Sequence, residues 1–175
     1  MSYRKTAEEL MIRLEDYPHI PYWFTLRQVT AIVREATVRV DGRFEPRAVL
    51  VFDEKYQLMG ILTLRDIITG LEPKFLQEAG LIKMDPSLTV LIGDFFGPKM
   101  KEQSQRAVSE VMSPIKITVN AEDPITKPLY LMIKEHIGLV PVMQGGRVVG
   151  ILRFSDLFGE ISKIVLGDWA EEDFH

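Results

Sequence analysis

The 175-residue chain has no cysteine. That excludes disulfide staples, thiolate metal sites and a cysteine nucleophile together, and it fits a reducing compartment. Histidine is scarce, with three in the chain. His19 and His175 stand without the neighbours that metal ligation needs, and His136 lies on an apolar helical stripe where it reads as a packed residue. No metal site is therefore assigned. Basic charge is not in excess either: 21 Lys and Arg against 25 Asp and Glu leave a net charge of −4, so neither nucleic acid nor an anionic membrane is indicated as a partner. No apolar run approaches the roughly 18 residues a membrane helix needs. The N-terminal MSYRKTAEELMIRLED is charged throughout, unlike a signal peptide. The expected location is the cytoplasm. Gly145-Gly146 lacks the spacing and the Lys-Ser/Thr of a phosphate loop and reads as a hairpin turn. No nucleophile is paired with a base, so no catalytic residue is assigned and an enzyme is the least favoured class.

What the chain does have is 46% apolar residues, enough for a packed core, and an internal repeat. Residues 58–68 read LMGILTLRDII and residues 148–158 read VVGILRFSDLF. Gly60, Ile61, Leu62 and Asp66 recur at one constant offset as Gly150, Ile151, Leu152 and Asp156. Leu64, Ile67, Ile68 and Leu71 answer to Phe154, Leu157, Phe158 and Ile161, at helical spacing. Each copy reads as a buried strand passing through a Gly into a helix that starts near the Asp. Before each lies another apolar run, AVLVFD at 48–53 and GLVPVM at 138–143, followed by turns at Asp53-Glu54-Lys55 and Gln144-Gly145-Gly146. Before each hairpin lies a helix. In the first copy Thr25 and Gln28 form a capping box, with Val29, Ile32, Val33 and Ala36 as the apolar stripe. In the second, Asp123-Pro124 opens the helix, and Pro128 predicts a late start or a distorted first turn because it lacks an amide hydrogen.

The expected fold class is α/β (α+β), two β-α-β-β-α repeats. The expected organisation is an N-terminal amphipathic helix over 1–16, capped by Thr6 and Glu9, with Ala7, Leu10, Met11 and Leu14 on one face and Pro18 beyond its end. Then come repeat 1 at 17–71, a partly helical insert at 72–107, repeat 2 at 108–163 and an acidic, solvated tail at 164–175 carrying Asp168, Glu171, Glu172 and Asp173. The insert contains the apolar LTVLIGDFF at 88–96, and repeat 1 carries an extra TVRVDGRFEPR at 37–47 with a turn at Asp41-Gly42. Trp23 and Phe24 read as core or interface, and Met11, Met132 and Met143 as apolar filler.

The ordered set of VSEVMSPIKITV, LYLMIKEHI and GLVPVMQGGRVVGILRFSDLF resembles a CBS domain. HIPYWFTLRQVTAIV with AVLVFDEKYQLMGILTLRDII resembles one more loosely. The resemblance covers about two thirds of the chain. It implies a CBS pair, or Bateman module, packed with pseudo-twofold symmetry, which commonly dimerises and binds AMP, ADP, ATP or S-adenosylmethionine between its repeats. It implies no required cofactor. The family's ligand motif is Gly, two apolar residues, Ser or Thr, two residues, then Asp, whose carboxylate takes ribose hydroxyls. Gly60, Thr63 and Asp66 match it, and Arg65 supplies a cation for phosphate. In repeat 2, Gly150 and Asp156 match, but Arg153 replaces the hydroxyl residue, so this is the weaker site; Ser155 offers a hydroxyl beside Asp156. The family lines its adenine slot with the segment before the first helix, which here means Ile20, Pro21 and Tyr22, and Ile115, Lys116 and Ile117.

Each of these residues also has a purely structural reading. Thr63 and Asp66 fit a capping box without any ligand, and Gly60 and Gly150 fit strand-end turns. Two functions thus stand: a regulatory adenine-nucleotide module that signals to an effector protein by conformational or oligomeric change, and a structural or dimerisation pair with vestigial sites. A homodimer is expected under either, because the apolar residues outside the repeats would otherwise be wet.

Overall fold

The computed structural model describes residues 4–39, 48–72 and 97–167. The Asp41-Gly42 turn, the 88–96 apolar stretch and the acidic residues of the tail lie outside the described residues. The chain divides into two compact units, Pro18–Ile115 and Met1–Tyr17 with Lys116–His175. Each holds one four-stranded sheet with helices, a mixed α/β fold as the pattern predicts.

In the unit Pro18–Ile115, strand β2 (His19–Pro21) runs parallel to β3 (Ala48–Phe52), which forms an antiparallel hairpin with β4 (Leu58–Thr63). Helix α2 (Leu26–Arg39) stands between β2 and β3 in the chain, and α3 (Leu64–Gly70) follows β4 directly. The expected capping box starts α2: the Thr25 amide donates to Gln28 Oε1 at 2.9 Å and the Gln28 amide to Thr25 Oγ1 at 3.2 Å. Val29 and Val33 of its stripe are buried together with Leu26, Ile20, Val49, Val51, Leu62 and Ile67. The 97–103 part of the insert is helical. The chain then bonds back on the entry to α2 (Leu26 amide to Arg106 carbonyl, 2.9 Å) and buries Val108. It ends in a two-residue strand, β5 (Ser113–Pro114), antiparallel to β4 at Gly60 and Ile61.

The other unit repeats this plan with both ends of the chain. Here β6 (Val119–Asn120) runs parallel to β7 (Leu139–Gln144), and β7 pairs antiparallel with β8 (Arg147–Arg153). Gly145 and Gly146 turn this hairpin at φ of 59° and 76°, the left-handed region in which glycine carries no Cβ penalty. Helix α4 (Thr126–Glu135) starts late, as its proline predicts. Pro128 falls in the first turn, where an amide has no intrahelical acceptor to lose. His136 is not packed: it is exposed and ends α4 in the left-handed conformation (φ 53°). Helix α5 (Phe154–Leu166) follows β8.

The N-terminal segment departs from the expected helix over 1–16. Helix α1 is a single turn, Ala7–Leu10, begun where the Thr6 amide meets Glu9 Oε2 at 3.4 Å. Met11 is extended, and β1 (Ile12–Arg13) pairs antiparallel with β8 at Ile151 and Gly150; a 3-10 turn, Leu14–Asp16, follows. The ladder to β8 supplies backbone partners that a short isolated helix would lack, and it wins over helical periodicity. Ala7 is still fully buried against the core of Val119, Ala121, Val140, Val142, Leu152 and Leu157. Lys5 reaches the buried Glu160 of α5 at 2.9 Å, and Lys163 reaches the same oxygen at 3.2 Å.

The two motif glycines lie inside strands, not at strand-end turns. An added Cβ at Gly60 would stand 2.7 Å from the Ser113 carbonyl and 2.9 Å from Met112 Sδ. At Gly150 it would stand 2.5 Å from both the Ile12 carbonyl and Met11 Sδ. In each sheet a short strand crosses tightly over the glycine with a methionine beside it, so the bare backbone is what admits the fourth strand. Beside both glycines the hairpin register shifts, at Val51/Phe52 and at Val142/Met143.

Candidate functional site

The repeated Asp sits in both units where a strand becomes a helix, as the third residue of α3 and of α5. In the first motif it is part of a reciprocal cap. The Thr63 amide donates to Asp66 Oδ2 at 2.9 Å, and the Asp66 amide donates to Thr63 Oγ1 at 3.0 Å. Ser113 of β5 adds a second donor to the carboxylate, its hydroxyl lying 3.2 Å from each oxygen. Asp66, Thr63 and Ser113 are all half-buried, and Arg65 is exposed beside them. The cluster thus holds one carboxylate, two hydroxyls and an adjacent cation. Among the described residues every side chain that binds Asp66 is neutral, so a ligand hydroxyl could replace Ser113 like for like. The sequence reading missed Ser113. The signal was present: AEELMI at 7–12 and VSEVMS at 108–113 align, each leading into the strand that crosses a motif glycine.

The second motif is built differently. Arg153 occupies the cap position of Thr63, and its amide donates to Asp156 Oδ2 at 3.0 Å. Its guanidinium turns back on the same carboxylate: Nε lies 3.1 Å from Oδ2 and Nη2 2.8 Å from Oδ1. This is a two-point charge-assisted pair, with the Arg153 and Asp156 side chains only 26% and 15% exposed. The counterpart of Ser113 in this sheet is Ile12, which brings no hydroxyl. Ser155 is exposed.

The expected adenine-lining residues are placed unevenly. Ile20 is buried in the core and Pro21 is half-buried in β2. Tyr22 is half-buried, its ring edge-on to Trp23 at 5.3 Å, and its amide is taken by the Phe52 carbonyl at 2.9 Å. Trp23 itself is 54% exposed. Ile115 is half-buried, Lys116 exposed, and Ile117 packs on the core beside Val119. Ile115 belongs to one unit, and Lys116 and Ile117 to the other. Elsewhere, His19 Nε2 and Tyr56 Oη lie 2.6 Å apart, and Tyr56 stacks on Phe52. Among the described residues no group of three His, Asp or Glu side chains could hold a metal ion, and no helix is long and apolar enough to cross a membrane.

Comparison with known proteins places this geometry. Residues 108–163 match the family model of the CBS domain. No curated protein matches the chain. Among solved structures, a CBS domain-containing protein of unknown function from Kribbella flavida superposes with a TM-score of 0.68 at 18% identity, covering 90% of this chain and 98% of that one. CBSX2 in complex with AMP gives 0.63 at 16% identity, over 91% and 98% of the two chains. The cytosolic domain of the Mg2+ channel MgtE in complex with ATP gives 0.60 at 22% identity, over 89% of this chain and 48% of that one. The repeat-2 segment matches the family in sequence, the whole fold matches solved structures of CBS-domain proteins, and both units carry the strand–Asp–helix motif: residues 108–163 are a CBS domain, in a chain with the fold of CBS-domain structures.

Proposed function

We propose that this chain is a regulatory module that binds an adenine nucleotide and catalyses nothing. The observation that carries the reading is the Thr63–Asp66–Ser113 cluster, on a fold whose solved likenesses include an AMP complex and an ATP complex. A ribose diol has two neutral donors, and Asp66 already holds neutral donors that such hydroxyls can replace. Thr63 keeps a hydroxyl proton to donate, and Arg65 stands ready for phosphate. Pro21 and Tyr22, with Ile20 behind them, would line the adenine. Arg153, Ser155 and Asp156, with Lys116 and Ile117 of the same unit, would form the weaker second site. AMP, ADP, ATP and S-adenosylmethionine are the candidate ligands. The bound state is transmitted by population shift, in conformation or in the assembly of a homodimer, to an effector protein in the cytoplasm.

The experiment is a thermal-shift panel of AMP, ADP, ATP, S-adenosylmethionine and NAD on the full chain. A ligand at about 100 times its Kd stabilises by about 2.7 kcal/mol. The alternative, a structural or dimerisation pair, is favoured by one observation: both oxygens of each motif carboxylate already accept hydrogen bonds within the protein. No shift with any member of the panel would favour that alternative over the nucleotide reading.

A further inference from the structure

We propose that Arg153 is a phosphate-dependent latch on the second motif. Asp156 is opened to a ligand only by one that carries both a ribose diol and a phosphate. The inference rests on the nucleotide-binding reading above and concerns the half of it that the sequence left undecided.

Two carboxylates stand at the same place in two copies of one fold, and their partners differ. Asp66 is held by an amide and a serine hydroxyl, and ribose hydroxyls can displace the serine at little electrostatic cost. Asp156 is held by a guanidinium at two points, 2.8 and 3.1 Å, in a half-buried setting. A neutral hydroxyl cannot displace it without leaving a cation and an anion poorly solvated, which costs more than the new hydrogen bonds return. A phosphate changes the exchange. It offers the guanidinium an anion of equal or greater charge in the two-point geometry that arginine prefers. Arg153 can then leave Asp156 for the phosphate while the ribose diol takes the carboxylate, and no charge is stranded. Arg153 sits one turn before Asp156, so this is a rotation about its flexible stem with the backbone in place. Adenosine lacks the anion. S-adenosylmethionine lacks phosphate, and its one carboxylate is outweighed by its ammonium and sulfonium cations, so it brings net positive charge to the guanidinium. Both are excluded from the second motif, while AMP, ADP and ATP are admitted.

The test compares wild type, Arg153→Thr, which installs the residue of the first motif, and Arg153→Lys, each titrated calorimetrically with adenosine, S-adenosylmethionine, AMP and ATP. Arg153→Thr is expected to add a class of sites for adenosine, or tighten it by about tenfold or more, and to flatten the ATP-over-adenosine ratio. Arg153→Lys keeps the charge and is expected to retain that ratio. Because Asp156 stays in place, a folding defect would show in thermal unfolding without ligand. The Arg153 Nε–H resonance, followed by NMR in wild type, is expected to move with ATP and not with adenosine, which needs no variant. If ATP binds but Arg153→Thr leaves both the stoichiometry and the ATP-over-adenosine ratio of wild type, and the Nε–H resonance stays still, the latch is wrong and the nucleotide reading stands. If no adenine compound binds any form of the protein, both fall.

Discussion

At the residue scale the two motif glycines make the firmest statement. A Cβ at Gly60 or Gly150 meets a backbone carbonyl of a crossing strand, which cannot swing aside as a side chain can. Gly60→Ala and Gly150→Ala are each expected to lose about 1–3 kcal/mol, as overpacking does. Urea unfolding measures this, and a change below a few tenths of a kcal/mol would show that β5 and β1 yield freely. Asp66 has two roles, and they separate. Asp66→Ala removes one half of the capping box of α3, the acceptor of the Thr63 amide, and keeps the other, the backbone amide of residue 66 on Thr63 Oγ1, so it is expected to cost at most about 1 kcal/mol. It is also expected to weaken nucleotide binding by at least about tenfold, since charge-assisted bonds contribute about 1.5–3 kcal/mol each. Asp156→Ala is expected to weaken binding less, its carboxylate being already engaged by Arg153. Titration calorimetry decides the order, and the reverse order would mean that the main site is in repeat 2.

At the scale of elements, most of the architecture is legible in the internal repeat. Both hairpins, the α2 capping box and the late start of α4 follow from residues whose local chemistry leaves little choice: Asp53, which takes the Lys55 and Gln57 amides, Gly145-Gly146, Thr25 with Gln28, and Pro128. The short strands β1 and β5 were not legible. Two-residue strands carry no periodicity, and the apolar positions Ala7, Leu10 and Met11 serve a buried turn as well as a helix. Ser113 stayed hidden for the same reason, since its role depends on which strand crosses Gly60. His136 had helical spacing, but a helix end in the left-handed region turns a side chain off the stripe. Ile68 and Phe158, at matching places in the two copies, are 61% and 65% exposed although their spacing fits an apolar face. Each of those helices buries Ile67 or Leu157 instead. The turn before α4 has its own pH signature. Asp123 accepts from the Asn120 amide at 2.8 Å and from Lys127 at 3.1 Å, and these partners, the amide first, hold its carboxyl below the ordinary value. A folded pKa depressed below the unfolded one means stability present above the unfolded pKa and lost as pH falls through the folded one. Asp123→Asn is therefore expected to narrow the gap in stability between neutral and acid pH. An unchanged pH profile in urea unfolding would count against it.

At the scale of the whole molecule, one unit is closed by both ends of the chain and the other by its middle. Helix α1 and β1 reach the unit that holds β6–β8, and Lys5 pairs with Glu160 across nearly the full length of the sequence. A contact of such separation must offset the loop-closure entropy of the intervening chain, and through it residues 5–13 act on the stability of β8 and α5. Removing residues 1–13 would expose the β8 edge at Gly150 and Ile151, empty the place of Ala7 in the core, and leave buried Glu160 without Lys5. The expected result is faster hydrogen exchange at β8, with Val148–Leu152 losing protection by about tenfold or more, which corresponds to about 1.4 kcal/mol of local stability. Ala48–Phe52, in the other sheet and the other unit, provides the internal reference and is expected to exchange at close to its original rate. Lys5→Ala in the full chain isolates the ion pair from the strand and is expected to produce a smaller loss, confined to α5. Equal loss of protection in both sheets would mean that the protein unfolds as one cooperative block, and unchanged exchange at β8 would mean that β1 contributes nothing to holding that sheet.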